Sequence, residues 1–189
     1  MRLVLSTRNP HKVRELQPLL APHQLDPLPD DVELPPETGD TFTENALIKA
    51  RAAAQATNRP AVADDSGIQA EALNGAPGVR SARYAGEHAT DEENLDKLLR
   101  EAPAGSRVAY VCVLAYVDPE TDVEHVVEGR CEGTLAAEPR GTGGFGYDPA
   151  FVPAEHPDRT MSELEPREKD AISHRGRAAR ALLDWLPEG

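Results

Sequence analysis

Residues 2–20 read RLVLSTRNPHKVRELQPLL, and they set how the rest of the chain is parsed. Arg2-Leu3-Val4-Leu5-Ser6 is a short apolar run suited to a buried strand. Asn9 follows as a side chain able to cap a helix, and Pro10 suits the first helical turn, where a missing N–H costs nothing. Val13, Leu16, Leu19 and Leu20 then share one face, which predicts a helix from Pro10 to about Leu20, ending near Pro22. Strand, tight loop and helix in that order are the opening of an α/β chain.

The same reading extends outward. Pro22 to Pro36 is rich in Pro and Asp and reads mostly as loop, with Val32-Glu33-Leu34 offering at best a short edge strand. Thr41-Phe42-Thr43-Glu44 has the capping-box pattern and leads an Ala-rich helix to Thr57. Pro60 to Asp64 reads as a short strand ending in acid, with a turn at Ser66-Gly67 before Ile68 to Leu73 resumes the sheet. Thr90 or Asp91 caps a third helix carrying Leu95, Leu98 and Leu99. Val108 to Val117 is apolar on both faces, as a central strand is, whereas Val123 to Gly133 alternates with Glu124, Glu128, Arg130 and Glu132; the two make a hairpin across Asp118 to Asp122. A Gly-rich loop, Gly141 to Asp148, precedes a last helix from Ser173 or His174 to Leu186. This order predicts an α/β fold with a mixed central sheet and flanking helices. The 189 residues suit one domain, 1–189, since domains commonly run about 100–200 residues.

Composition narrows the function. With 39% hydrophobic and 28% charged residues the chain is a globular one. Its short N-terminal apolar run does not make a signal peptide, and no stretch approaches the roughly 18 apolar residues of a membrane span, so a cytoplasmic protein is expected. Cys112 and Cys131 have neither zinc-knuckle nor disulfide-scaffold spacing, and their register in the hairpin disfavours a bridge. A net charge of -13 argues against binding a nucleic-acid polymer, whose phosphates call for a basic surface. A small phosphorylated ligand remains open to it if cations are concentrated locally or a divalent metal screens the charge. The four lysines, Lys12, Lys49, Lys97 and Lys169, are therefore worth following.

Five short patterns could carry chemistry, and each has an ordinary structural explanation. Thr7-Arg8-Asn9-Pro10-His11-Lys12 leaves a strand and enters a helix, where backbone N–H groups welcome an anion; it is also what any capped helix start looks like. Asp64-Asp65-Ser66-Gly67 pairs carboxylates suited to magnesium, a hard cation that takes oxygen ligands beside substrate phosphates, or is a polar turn. Glu44 is a third carboxylate, already explained by the capping box. Gly141-Thr142-Gly143-Gly144-Phe145-Gly146-Tyr147-Asp148 contains G-x-G-x-x-G, but Pro149 follows in place of a helix, so a dinucleotide fold is rejected; Phe145 or Tyr147 could instead stack on a planar base. Lys169 with Ser173-His174-Arg175 puts cations and a hydroxyl about a helix start, as a surface basic cluster also would.

Taken in order, T-x-N-x-x-K at Thr7 to Lys12, F-x-E-N-A at Phe42 to Ala46, A-D-D-S-G at Ala63 to Gly67, G-A-P-G-x-x-S-A-R-Y at Gly75 to Tyr84, G-T-G-G-F-G-Y-D at Gly141 to Asp148 and S-H-R at Ser173 to Arg175 resemble the inosine triphosphate pyrophosphatase family over nearly the whole chain. The resemblance implies an elongated two-lobed α/β fold, a homodimer, and a triphosphate in the cleft. It implies hydrolysis of non-standard purine nucleoside triphosphates, ITP, dITP and XTP, to the monophosphate and pyrophosphate. By motif, it implies that Thr7, Arg8, Asn9, Pro10, His11 and Lys12 form the triphosphate loop, that Glu44 and Asp65 bind Mg2+, and that Asp65 also activates water. Ser66, Phe145, Gly146, Tyr147, Asp148, Lys169, His174 and Arg175 would bind substrate, with His174 or Arg175 donating to the 6-oxo group of the base. A pyrophosphatase for modified pyrimidine nucleotides and a nucleotide sensor without turnover are the rival readings; retention of Asp65 and Glu44 weighs against the sensor.

Overall fold

A computed structural model describes residues 1–187; Glu188 and Gly189, the end of the expected 1–189 domain, lie outside the described residues. Six strands form one mixed sheet in the order β2-β1-β3-β4-β5-β6. They are β1 (Arg2–Leu5), β2 (Gln24–Pro27), β3 (Ala61–Ala70), β4 (Arg107–Asp118), β5 (Val123–Leu135) and β6 (Phe151–Pro153). The helices are α1 (Pro10–Leu19), α2 (Phe42–Thr57), α3 (Asp91–Glu101), α4 (Pro166–Ile172) and α5 (His174–Trp185). The expected α/β architecture is therefore present. The chain divides into two compact units, one made of Met1–Asp65, Cys112–Gly129 and the stretch from Arg175 onward, the other of Ser66–Val111 and Arg130–His174.

In the first unit β1 pairs in parallel with β2, Arg2 opposite Gln24, and with β3, Val4 opposite Ala61. Parallel neighbours need a crossover, and α1 supplies it between β1 and β2. Leu16 and Leu20 of the α1 segment join Leu3, Leu5, Val62 and Leu182 in one buried cluster. Asn9 caps α1 as its sequence suggests, and Thr41 with Glu44 forms a complete capping box at α2. In the second unit α3 lays Leu95 and Leu98 on Ile68 and Val108 of the sheet. β6 runs antiparallel to β5, Gly133 opposite Pro153, and a Cβ at Gly133 would lie 2.3 Å from the Val152 carbonyl oxygen, so only glycine lets the strands approach there.

Three sequence expectations are corrected. The Pro22–Pro36 stretch does contain a strand, β2, and Val32-Glu33-Leu34 is not one. β2 is hidden by its composition, because as an edge strand it needs only Leu25 on the core side and tolerates Pro27 at its end. No turn interrupts Ser66-Gly67: β3 runs on to Ala70, and Gly67 serves instead to admit the neighbouring segment, since a Cβ there would sit 2.5 Å from the Gly78 carbonyl oxygen. The Asp64-Asp65 pair consequently lies inside a strand rather than at a strand end. The short elements β6 and α4 fall in stretches to which the sequence reading assigns no element. Val108 to Val117 is buried throughout, as a central strand should be. Neither cysteine is in a disulfide, and both are buried, in separate clusters. No helix among the described residues is long and apolar enough to cross a membrane.

Candidate active site

Successive residues of a strand point to opposite faces, so Asp64 and Asp65 meet different neighbours although they are adjacent. Asp64, fully buried at 0% exposure, accepts Lys12 Nζ at 2.9 Å and Arg175 Nη2 at 3.4 Å on the same oxygen. Burial alone would push its pKa up, but Lys12, Arg175 and Lys49 outweigh that and hold the carboxyl far below the usual carboxylate range. Arg175, 2% exposed, also donates to Glu15 of α1. Lys12, Asp64, Arg175 and Glu15 thus form a chain of alternating charge whose two ends, Lys12 and Glu15, are three residues apart on α1.

Asp65 is the opposite case. Burial and the negative charge of Glu37 push its carboxyl up to about 6, against the partial relief given by Lys49, Lys12 and a hydrogen bond to the Asn45 side chain. Lys49 Nζ lies 2.6 Å from Glu37 Oε1 and 3.7 Å from Asp65 Oδ1. Burial would lower the pKa of this lysine, yet Asp64, Asp65 and Glu37 together raise it, so Lys49 is a fixed cation between two carboxylates. Glu37 was not singled out from the sequence, and Lys49 only as one of four lysines to follow, with no place in the site. A signal existed for Lys49: with Ala46, Ala50 and Ala53 it falls on the buried stripe of α2, where a lysine needs a partner.

Several expected site residues have local partners. Thr7 Oγ1 accepts the Asn9 N–H, and Asn9 Oδ1 accepts the N–H groups of His11 at 2.9 Å and Lys12 at 3.4 Å, so the Asn9 side chain caps the first donors of α1. The Arg8 guanidinium donates to the carbonyls of Leu28, Pro29 and Val32, strapping that loop to the exit of β1, and His11 pairs with Arg14. Glu44 Oε2 accepts the N–H groups of Asp40 and Thr41, the capping role. The carboxylate that reaches the Lys49–Asp65 pair is that of Glu37.

The second unit gathers its own group. Asp148 accepts Tyr110 Oη on one oxygen at 3.0 Å, and on the other Lys169 Nζ at 2.8 Å and the Phe145 N–H at 3.1 Å. Gly144, with φ of +72°, has no room for a Cβ beside this carboxylate. Gly146 N–H donates to Asp91. Phe145 stays half-buried with Lys169 Nζ 5.3 Å from its ring centroid. Tyr147 is buried in the core with its hydroxyl on the Ser81 carbonyl, which leaves Phe145 as the aromatic able to stack on a base. His174 stacks on Tyr110 at 4.6 Å. Ser66 is half-buried in β3.

The residues suit a magnesium ion. Mg2+ is held by one or two carboxylates together with waters and substrate phosphates rather than by a full protein cage, and among the described residues no group of three or more His, Cys, Asp or Glu forms such a cage. Asp65 is a carboxylate whose ionised form burial and Glu37 disfavour, so a cation beside it is favoured.

Comparison with known proteins agrees with the motifs. The chain is 50% identical to a dITP/XTP pyrophosphatase of Shigella flexneri over 197 residues, covering 100% of this chain and 99% of that one. It is likewise 50% identical to a dITP/XTP pyrophosphatase of Streptomyces coelicolor, covering 99% of this chain and 98% of that one. The structure of a HAM1 protein from Coxiella burnetii matches with a TM-score of 0.89 at 45% identity, over 98% of both chains. Residues 3–185 match the Ham1 family, and the chain belongs to it.

Proposed function

We propose that this chain, acting as one domain, hydrolyses ITP, dITP and XTP to the nucleoside monophosphate and pyrophosphate, with Mg2+, as a cytoplasmic homodimer. The observation that carries the reading is the divergence of two adjacent carboxyls. Asp64 is locked in its ionised form by Lys12 and Arg175, while Asp65 is poised near 6. Neighbouring titratable groups pushed apart in this way mark a division of labour between a fixed charge and a proton acceptor. In the proposed reaction Asp65 takes a proton from water as the water oxygen attacks the α-phosphorus; the bond to the β-bridging oxygen breaks, and pyrophosphate leaves with the electron pair. Lys12 and Lys169 balance negative charge on the phosphates, and Asp64 with Arg175 keeps Lys12 in place. Magnesium, when bound, supplies further positive charge to phosphate oxygens. Phe145 stacks on the base, and Asp148, Tyr147 and Gly146 shape the loop around it. Arg175 remains in the site, but its guanidinium is shared by Glu15 and Asp64, so His174 is the first choice as donor to the 6-oxo group.

A panel of ITP, dITP, XTP, ATP, GTP and modified pyrimidine triphosphates, assayed for pyrophosphate, tests this. ITP, dITP and XTP should be preferred, activity should vanish on exhaustive chelation, and kcat/KM should rise with pH as Asp65 loses its proton. Release of orthophosphate, preference for the pyrimidines or binding without turnover would each contradict the proposal.

The metal pair is proposed to be Asp65 with Glu37, in place of the Glu44 that the motif resemblance suggested. Glu37→Gln should raise the magnesium concentration needed for half-maximal activity at least tenfold. Glu44→Gln should act mainly on α2, lowering stability by about 0.5–2 kcal/mol, the usual cost of a lost cap. Magnesium titrations and thermal melts of both variants separate the roles; a magnesium requirement moved by Glu44→Gln and not by Glu37→Gln would restore the original assignment.

A further inference from the structure

We propose that Tyr110, a residue outside every motif named above, is a positioning residue for nucleoside binding, resting on the pyrophosphatase reading. Tyr110 lies in the buried run of β4 and is 6% exposed. Its ring is sandwiched between Phe151, with centroids 4.4 Å apart and planes at 24°, and His174, at 4.6 Å and 13°. Its hydroxyl donates to Asp148 Oδ1 at 3.0 Å. One side chain therefore touches two of the proposed substrate-binding residues, His174 through its ring and Asp148 through its hydroxyl.

Asp148 passes that constraint on. Its terminal torsion is broad and soft, and the hydroxyl on Oδ1 fixes which way Oδ2 faces, toward Lys169 Nζ and the Phe145 N–H. The glycine loop is moulded on this carboxylate, since an added Cβ at Gly144 would come within 2.0 Å of Asp148 Oδ2. A buried tyrosine hydroxyl requires a partner, and a backbone carbonyl suffices for a purely structural one, as Ser81 does for Tyr147. Tyr110 spends its proton instead on a side chain of the candidate site. Its ring holds the plane of His174, its hydroxyl the orientation of Asp148, and through Asp148 it sets Lys169 and the Phe145 backbone.

The test compares Tyr110→Phe, which keeps the stack and removes the hydroxyl, with Tyr116→Phe, a buried tyrosine of the same strand that packs on Trp185. Measured are kcat and KM for ITP, the ITP-to-ATP ratio of kcat/KM, thermal melts, and dissociation constants for ITP and IMP in EDTA, where no turnover occurs. Tyr110→Phe should raise KM and both dissociation constants about 3–10-fold, the range of one hydrogen bond, lower the ITP-to-ATP ratio, and leave kcat within about twofold. Tyr116→Phe should change none of these, whatever it does to the melt. The proposal is overturned if Tyr110→Phe leaves binding and discrimination unchanged, or if Tyr116→Phe alters them equally. Should the wild type bind ITP without releasing pyrophosphate, the hydrolytic reading fails while the dissociation constants still decide the role of Tyr110. Should it bind neither ITP nor IMP, both fall.

Discussion

Asp65→Asn should lower kcat for ITP by about 10²–10⁴-fold at saturating magnesium, the range for losing a positioned general base, with any loss of metal ligation added to that. The fold should survive, and the pH dependence of stability says why. The Asp65 carboxyl has a folded-state pKa near 6, above its ordinary 3.8. Between those values the folded protein holds a proton that the unfolded chain has released, so the protonated group favours folding below about pH 4. That contribution is lost as pH rises through 6. Above pH 6 the ionised carboxylate is a burden, and replacing it with the neutral amide should leave the melt at pH 8 unchanged or higher by the equivalent of about 1–3 kcal/mol. The gain should shrink toward zero below pH 4. An inactive variant with a lowered melt at pH 8 would mean that Asp65 holds the structure together rather than working in it.

Arg175→Ala should be the most destabilising of these changes. It removes the guanidinium that Glu15 and Asp64 share, in a place 2% exposed to solvent, and strands buried negative charge beside it. Breaking a buried pair from one side costs about 3–5 kcal/mol, a fall in melting temperature of roughly 6–20 °C for a chain of this size. The sign for Asp64 is the reverse of that for Asp65. Its folded-state pKa is depressed, so its stabilisation is present above the ordinary carboxylate value and lost as pH falls toward the folded one. Losing Arg175 weakens that hold, and the variant should unfold at a higher pH than the wild type on acid titration. A melt within 2 °C of wild type with a collapsed ITP-to-ATP ratio would move Arg175 to base recognition, the role the sequence alone suggested.

What could be read from the sequence, and what could not, follows from the range of each interaction. The cap at Asn9, the capping box of Thr41 and Glu44, and the buried run of β4 are local, set by residues within a few positions of one another. β2 escaped because an edge strand of four residues with Pro27 at its end carries almost no periodicity. The site was legible as six motifs but not as a geometry. That Asp64 and Asp65 would diverge depends on β3 continuing through Ser66-Gly67, and the turn expected there hid it. Glu15 lies 160 residues from Arg175, and Tyr110 lies 38 from Asp148; contacts at such separations leave no spacing to count. Glu37 was obscured further, since it sits in an irregular acidic stretch where any one carboxylate looks like the next. Glu44 was named because it lies within a motif, and Glu37 was not considered.

The central claim is that water activated at Asp65 attacks the α-phosphorus. It is tested most directly by turning over ITP in water enriched in oxygen-18 and weighing both products by mass spectrometry. One labelled oxygen is expected in the inosine monophosphate and none in the pyrophosphate. Label in the pyrophosphate, or in released orthophosphate, would place the attack on a different phosphorus and contradict it.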